Sequence, residues 1–153
     1  MYQTLILFHG WCRWLVLLSL VYTTITSIKG YRARSSYSSR DNLARHGTAT
    51  VMHVQLTLGM LLYFASPFVS SYWNSNDMST LPETEFFAVI HSTMMFIAVI
   101  LATYGSSAAK RKTQDSDKFK TVAFFYSLAL LIILLAIPWS FAPWAQRPLL
   151  RTF

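Results

Sequence analysis

The chain has 153 residues, 54% hydrophobic and only 12% charged, with a mean hydropathy of +0.38 and a formal net charge of +7. So apolar a composition excludes an ordinary soluble domain, and the apolar residues gather into four blocks, each about the ~20 residues a membrane-crossing helix needs. The prediction is an all-α fold: a single membrane domain over 1–153 in which four transmembrane helices run up-down-up-down.

The first block, about 5–28, carries His9, Cys12 and Arg13. No basic residue precedes it, and Lys29-Gly30-Tyr31-Arg32 follows without a small-residue cleavage site, so it reads as a retained span rather than a signal peptide. Cys12 is the only cysteine, which excludes an internal disulfide and any CxxC site. The stretch 29–45 is basic, Ser-rich and without an apolar pattern, and reads as a flexible connector with no active role.

The second block, about 48–69, contains His53, Gln55, Thr57 and Gly59 and reaches Ser66-Pro67, where proline ends or bends a helix. A polar loop over 70–82 follows, with Tyr72-Trp73 where aromatic belts lie. The third block, about 86–109, starts after Thr84-Glu85, an acidic entry that suits a helix N-terminus. It carries His91, Met94-Met95 and a stripe of small residues at Ala98, Ala102, Gly105 and Ala109. The fourth block, about 121–141, holds no charged residue and stops at Ile137-Pro138-Trp139. Trp139 and Trp144 read as interfacial anchors.

The positions of the charges matter more than their sum. Lys29, Arg32, Arg34, Arg40 and Arg45 lie in the first loop and Lys110, Arg111, Lys112, Lys118 and Lys120 in the third, while the second holds Asp77, Glu83 and Glu85 and no basic residue. The positive-inside rule then places loops one and three in the cytoplasm and both termini outside. Basic loops beside spans answer to topology and anionic lipid, so no nucleic-acid partner is expected. Each half of the chain repeats one pattern, a helix with a histidine near its outer end, a basic loop and a helix ending at an outer proline, which suits two hairpins related by a pseudo-two-fold axis.

Histidine within a span is uncommon and marks a candidate site. At a helical rise of ~1.5 Å per residue, His9 lies ~30 Å from Lys29 and His91 ~28 Å from Lys110, so both sit at one depth near the outer interface. His53 lies only ~12 Å from Arg45 on that scale, too deep to share their ligand. It reads as a separate ligand or quinone contact, with Gln55 and Thr57 as hydrogen-bonding neighbours. His46 falls at the headgroups.

Two imidazoles at one depth on diagonal helices suit the axial ligands of a b-type haem held in a bundle. Packed histidines satisfied by backbone carbonyls or hydroxyls are the alternative. The small stripe either leaves room for a macrocycle or serves close helix packing. Because no span contains Asp or Glu, Arg13, one turn from His9, reads as a group for a haem propionate or for a lipid phosphate reached by snorkelling. Met94-Met95 with His91 would suit copper(I), although adjacent methionines more often pack. No paired carboxylates, phosphate-binding glycine loop, HExxH or nucleophile–base set is present, so any activity is electron transfer rather than hydrolysis or group transfer.

His9-Gly10-Trp11-Cys12-Arg13-Trp14, Met52-His53-Val54-Gln55-Leu56 and His91-Ser92-Thr93-Met94-Met95 together resemble the short four-helix bacterial membrane proteins labelled "cytochrome b". The resemblance covers most of the chain and implies a haem-b or quinone-linked membrane redox protein, with His9, Arg13, His53 and His91 at the matching positions. Members of that family often carry an acidic residue before the third histidine, where this chain has Ile90. The expectation is a haem-b electron carrier, quinol-linked or a subunit of a respiratory complex. A cofactor-free accessory subunit of a larger membrane assembly is the alternative.

Overall fold

The computed structural model describes residues 2–74, 82–143 and 145–148, which leaves Asp77 and Trp144 outside the described residues. Its elements are α1 (Tyr2–Arg32), α2 (Ser39–Ala65), α3 (Pro67–Asn74), α4 (Pro82–Glu85), a π-helical turn (Phe86–His91), α5 (Ser92–Lys110) and α6 (Asp115–Ala136). α4, the π turn and α5 run on as one third span, Pro82–Lys110, and with α1, α2 and α6 they make four helices long and apolar enough to cross a membrane. The chain is a multi-pass membrane protein.

The helices exceed the apolar blocks because backbone hydrogen bonding continues into polar flanks that hydropathy does not mark. α1 begins at Tyr2 and runs to Arg32, past the expected 5–28. α2 begins at Ser39, nine residues before the block that announced it, behind a capping box in which Ser38 and Asp41 satisfy each other's backbone N–H groups. The stretch expected to be a flexible connector is therefore mostly helix, with only residues 33–38 between α1 and α2. α1 closes with a Schellman turn in which the Ser35 N–H reaches the Gly30 carbonyl and Arg34 takes φ 49° at the position glycine usually fills.

Proline sets the breaks at the other end of the bundle. α2 stops at Ala65 rather than near 69, Ser66 is extended as pre-proline residues prefer, and Pro67 opens α3. α6 likewise stops at Ala136, short of the expected 141, because Pro138 holds Ile137 in the extended region. Pro138 has no N–H for the Leu134 carbonyl, and the Trp139 indole donates to that oxygen instead at 2.8 Å. Trp139 is thus part of a helix terminus, with Trp14 edge-on to it at 6.5 Å.

α1 packs on α2 and α6, and α5 packs on α2 and α6, so α1 faces the third span across the bundle diagonal. The start of α1, Pro67, Pro82 and Pro138 lie at one end, called here the terminal end; residues 33–38 and 111–114 lie at the other, the basic end. α5 and α6 pack closely along the small stripe: Ala98 and Ala102 are buried, and a Cβ on Gly105 would overlap the side chain of Phe125. The stripe is a helix contact and offers no floor for a macrocycle.

Polar groups lock the basic half. Thr23 and Thr48 meet at 2.8 Å between α1 and α2. Arg45, assigned no role by the sequence, is buried, donates to the carbonyl and hydroxyl of Ser106 on α5, and reaches Asn42 at 2.7 Å. The Tyr126 hydroxyl on α6 donates to the Arg45 carbonyl at 2.6 Å, so three helices meet at this residue.

Candidate functional site

His9 and His91 meet across the bundle diagonal near the terminal end, with ring centroids 6.5 Å apart and planes at 72°. The equal depth counted along α1 and the third span therefore becomes a contact. Each ring is held by a different local device.

His91 ends the π turn. A π turn shifts the hydrogen-bond ladder by one residue and leaves a carbonyl over; here the Ala88 oxygen accepts from the Tyr63 hydroxyl at 3.2 Å and the Ser92 hydroxyl at 2.9 Å. The Trp73 indole donates to Tyr63 at 3.0 Å, so α3 braces the turn through α2. The His91 Nδ1 lies 2.8 Å from the Ala136 carbonyl, one of the acceptors the proline break leaves without a helical partner. A carbonyl can only accept, so Nδ1 carries the proton and Nε2 keeps its lone pair. Phe86 and Phe87 pack on the ring at 5.8 and 6.0 Å.

His9 is held from α2 by Gln55, whose amide nitrogen lies 3.3 Å from the imidazole Nε2 and 3.1 Å from the His9 carbonyl. Gln55 thus belongs to His9, not to His53 as its spacing suggested. Thr57 does not join His53 through its ring either; its hydroxyl donates to the His53 carbonyl. Gly59, one turn from Gln55, gives the His9 ring its room, since a Cβ there would stand 3.3 Å from Cε1. Two buried atoms in this corner have no hydrogen-bond partner among the described residues, His9 Nδ1 and Gln55 Oε1. As the amide stands, its N–H groups face the His9 carbonyl and Nε2, so Nε2 accepts and the ring proton is on Nδ1. Half a turn of the amide would set Oε1 against a protonated Nε2 and free the Nδ1 lone pair for a metal ion, at the loss of the bond to the carbonyl.

Packing is uneven around this pair. Buried residues on α1 run from Val16 to Gly30 and on α2 from Arg45 to Met52, so the half of each helix that carries His9, Gln55 and Gly59 contributes none. The third span and α6 do contribute there, through Phe86, Ala88, Ile133 and Ala136. On the α1/α2 side the residues at the level of the histidines are thus only partly buried, although His9 Nδ1 and Gln55 Oε1 are covered. Arg13 lies within electrostatic reach of both rings, its guanidinium 5.3 Å from the Trp14 ring centre.

His53 stays apart, as its depth predicted, with Nε2 3.1 Å from the Thr103 hydroxyl on α5. His46 is exposed. Met94 lies on the exposed face of α5 and Met95 packs against the core. The sequence reading missed Gln55 as the partner of His9 and the Ala136 carbonyl as the partner of His91; Pro138 was the available signal for the second, because a proline break frees the carbonyls before it.

No protein-family model, no curated protein and no solved structure matches the chain.

Proposed function

We propose that the protein is an electron carrier of a bacterial inner membrane, holding one b-type haem between His9 and His91 and serving alone or as a subunit of a respiratory complex. One observation carries the reading: two imidazoles from diagonal helices lie 6.5 Å apart. Imidazole nitrogens bind metals at ~2.0–2.1 Å, and His9 and His91 are the two residues that would hold the iron. The donor set fits as well, since neutral imidazole nitrogen is the usual axial ligand of such a haem.

When bound, the haem supplies a one-electron iron couple. The chain's own residues do the rest. His91 offers Nε2 in an orientation fixed by its bond to Ala136, the arrangement by which ligating histidines are usually held. With the Gln55 amide turned so that its oxygen accepts from Nε2–H, His9 would offer Nδ1, the ring nitrogen without a hydrogen-bond partner among the described residues. Arg13 supplies positive charge for a propionate, and Phe86 and Phe87 exclude water from the His91 side. The basic loops lie in the cytoplasm and the termini outside, from the distribution of Lys and Arg.

A pyridine haemochrome assay on the purified protein tests the reading, with one haem per chain expected and a folded, haem-free protein contradicting it. The partly exposed α1/α2 side favours one second reading, a cofactor-free accessory subunit that receives a helix of a larger assembly there. Isolation within a stable complex in which this chain carries no metal would establish that reading instead.

A further inference from the structure

A second site lies on the membrane face of the bundle, between α2 and α5. A groove of about 580 Å³ runs there, with His53 and Thr103 on its floor and Leu56, Phe96 and Ile100 among its walls. That volume lies within the ~300–1,000 Å³ of small-molecule sites. The walls suit a lipid-soluble body; the floor does not suit an acyl chain.

The chemistry of the floor follows from one proton. The Thr103 hydroxyl donates its only hydrogen to the Val99 carbonyl at 2.7 Å. Toward His53 Nε2, 3.1 Å away, it can therefore act only as an acceptor, and the proton of the neutral imidazole sits on Nε2. The lone pair is thereby fixed on Nδ1, for which the described residues provide no donor. A histidine at this depth with an unused acceptor is costly in hydrocarbon unless something donates to it.

The donor must arrive from the membrane and carry an O–H. Tyr104 adds a second exposed ring beside Phe96, so the lining favours a flat aromatic body. Ser107 and Arg111 continue the line of Thr103 at one-turn intervals toward the basic end, giving polar contacts for a second ring oxygen or its substituents. We infer that this groove binds the hydroxylated head of a lipid-soluble hydroquinone, with the O–H donating to His53 Nδ1. The oxidised quinone has only carbonyl oxygens and cannot make that bond. Site and ligand class are independent of the haem at His9 and His91.

The test is calorimetric titration of decylubiquinol, kept reduced with dithionite, and of decylubiquinone into protein in nanodiscs, with empty nanodiscs as baseline. The quinol is expected to bind saturably at one per chain, and the quinone roughly tenfold or more weakly. His53→Phe abolishes the difference, and Leu56→Trp, which fills the groove without touching the histidine, abolishes binding. Equal affinity for the two redox forms, unchanged quinol binding in His53→Phe or Leu56→Trp, or no saturable binding by the wild type overturns the inference. A colourless preparation that still binds quinol contradicts only the haem reading.

Discussion

Gln55 of α2 grips His9 of α1 twice with one amide nitrogen, 3.3 Å from the ring Nε2 and 3.1 Å from the backbone carbonyl. The contact sets the ring's rotation, and for Nδ1 to hold a metal the same amide would turn so that its oxygen accepts from Nε2–H, giving up the bond to the carbonyl. Gln55→Leu keeps the volume and removes both bonds. Because partners that orient a ligand commonly contribute ten- to hundredfold in affinity, haem titrated into apo-protein should bind roughly tenfold or more weakly in this variant. Unchanged affinity would mean that Gln55 only joins two helices.

Gly105 tests the α5/α6 contact. Phe125 already occupies the place of a Cβ, so Gly105→Val must separate the helices or displace the ring. Overpacking of this kind costs ~1–3 kcal/mol, measurable as a lower midpoint in a denaturant titration of detergent-solubilised protein. The same change at Gly47, where a Cβ meets nothing within 4 Å, should cost far less.

Arg34 sits at φ 49° in the turn that closes α1. A left-handed non-glycine residue carries ~1 kcal/mol of strain or more. Arg34→Gly should relieve it, offset in part by the extra freedom glycine gives the unfolded chain, for a net gain of a few tenths to ~1 kcal/mol. Destabilisation in the same titration would show that the arginine side chain, not the backbone, holds the turn.

Tyr37 sits between the first two spans, its ring 4.8 Å from Phe119, and burial pushes its phenol above the ordinary tyrosine value. A raised folded-state pKa makes its stabilisation complete below about pH 10, the ordinary value, and lost as the pH rises through the folded one. Stability should therefore fall in alkali more steeply in the wild type than in Tyr37→Phe; parallel curves would remove Tyr37 as the cause.

Four spans, their order, the meeting of His9 with His91 and the separation of His53 were legible because each depends on hydropathy or on a count along a helix. Chemistry between helices was not. Gln55 lies two residues from His53 and forty-six from His9, yet successive helix positions turn by ~100°, and that rotation gives it to the distant residue. The small stripe was ambiguous because cofactor clearance and close packing use the same residues; Phe125, on another helix, decides it. Arg45 looked like part of a solvated loop, although Ser38-x-x-Asp41 marked a helix start that carries it into the bundle. The π turn left no mark in the apolar pattern, since its neighbours Phe86, Phe87 and Ala88 suit either kind of helix.

The central claim is that His9 and His91 together hold a haem. The most direct measurement is the dithionite-reduced minus oxidised visible spectrum of the purified wild type beside His9→Ala, His91→Ala and His53→Ala. The account predicts a Soret band and a sharp reduced α-band in the wild type, lost in the first two variants and retained in His53→Ala. A folded, colourless wild type, or bands that survive both His9→Ala and His91→Ala, would contradict it.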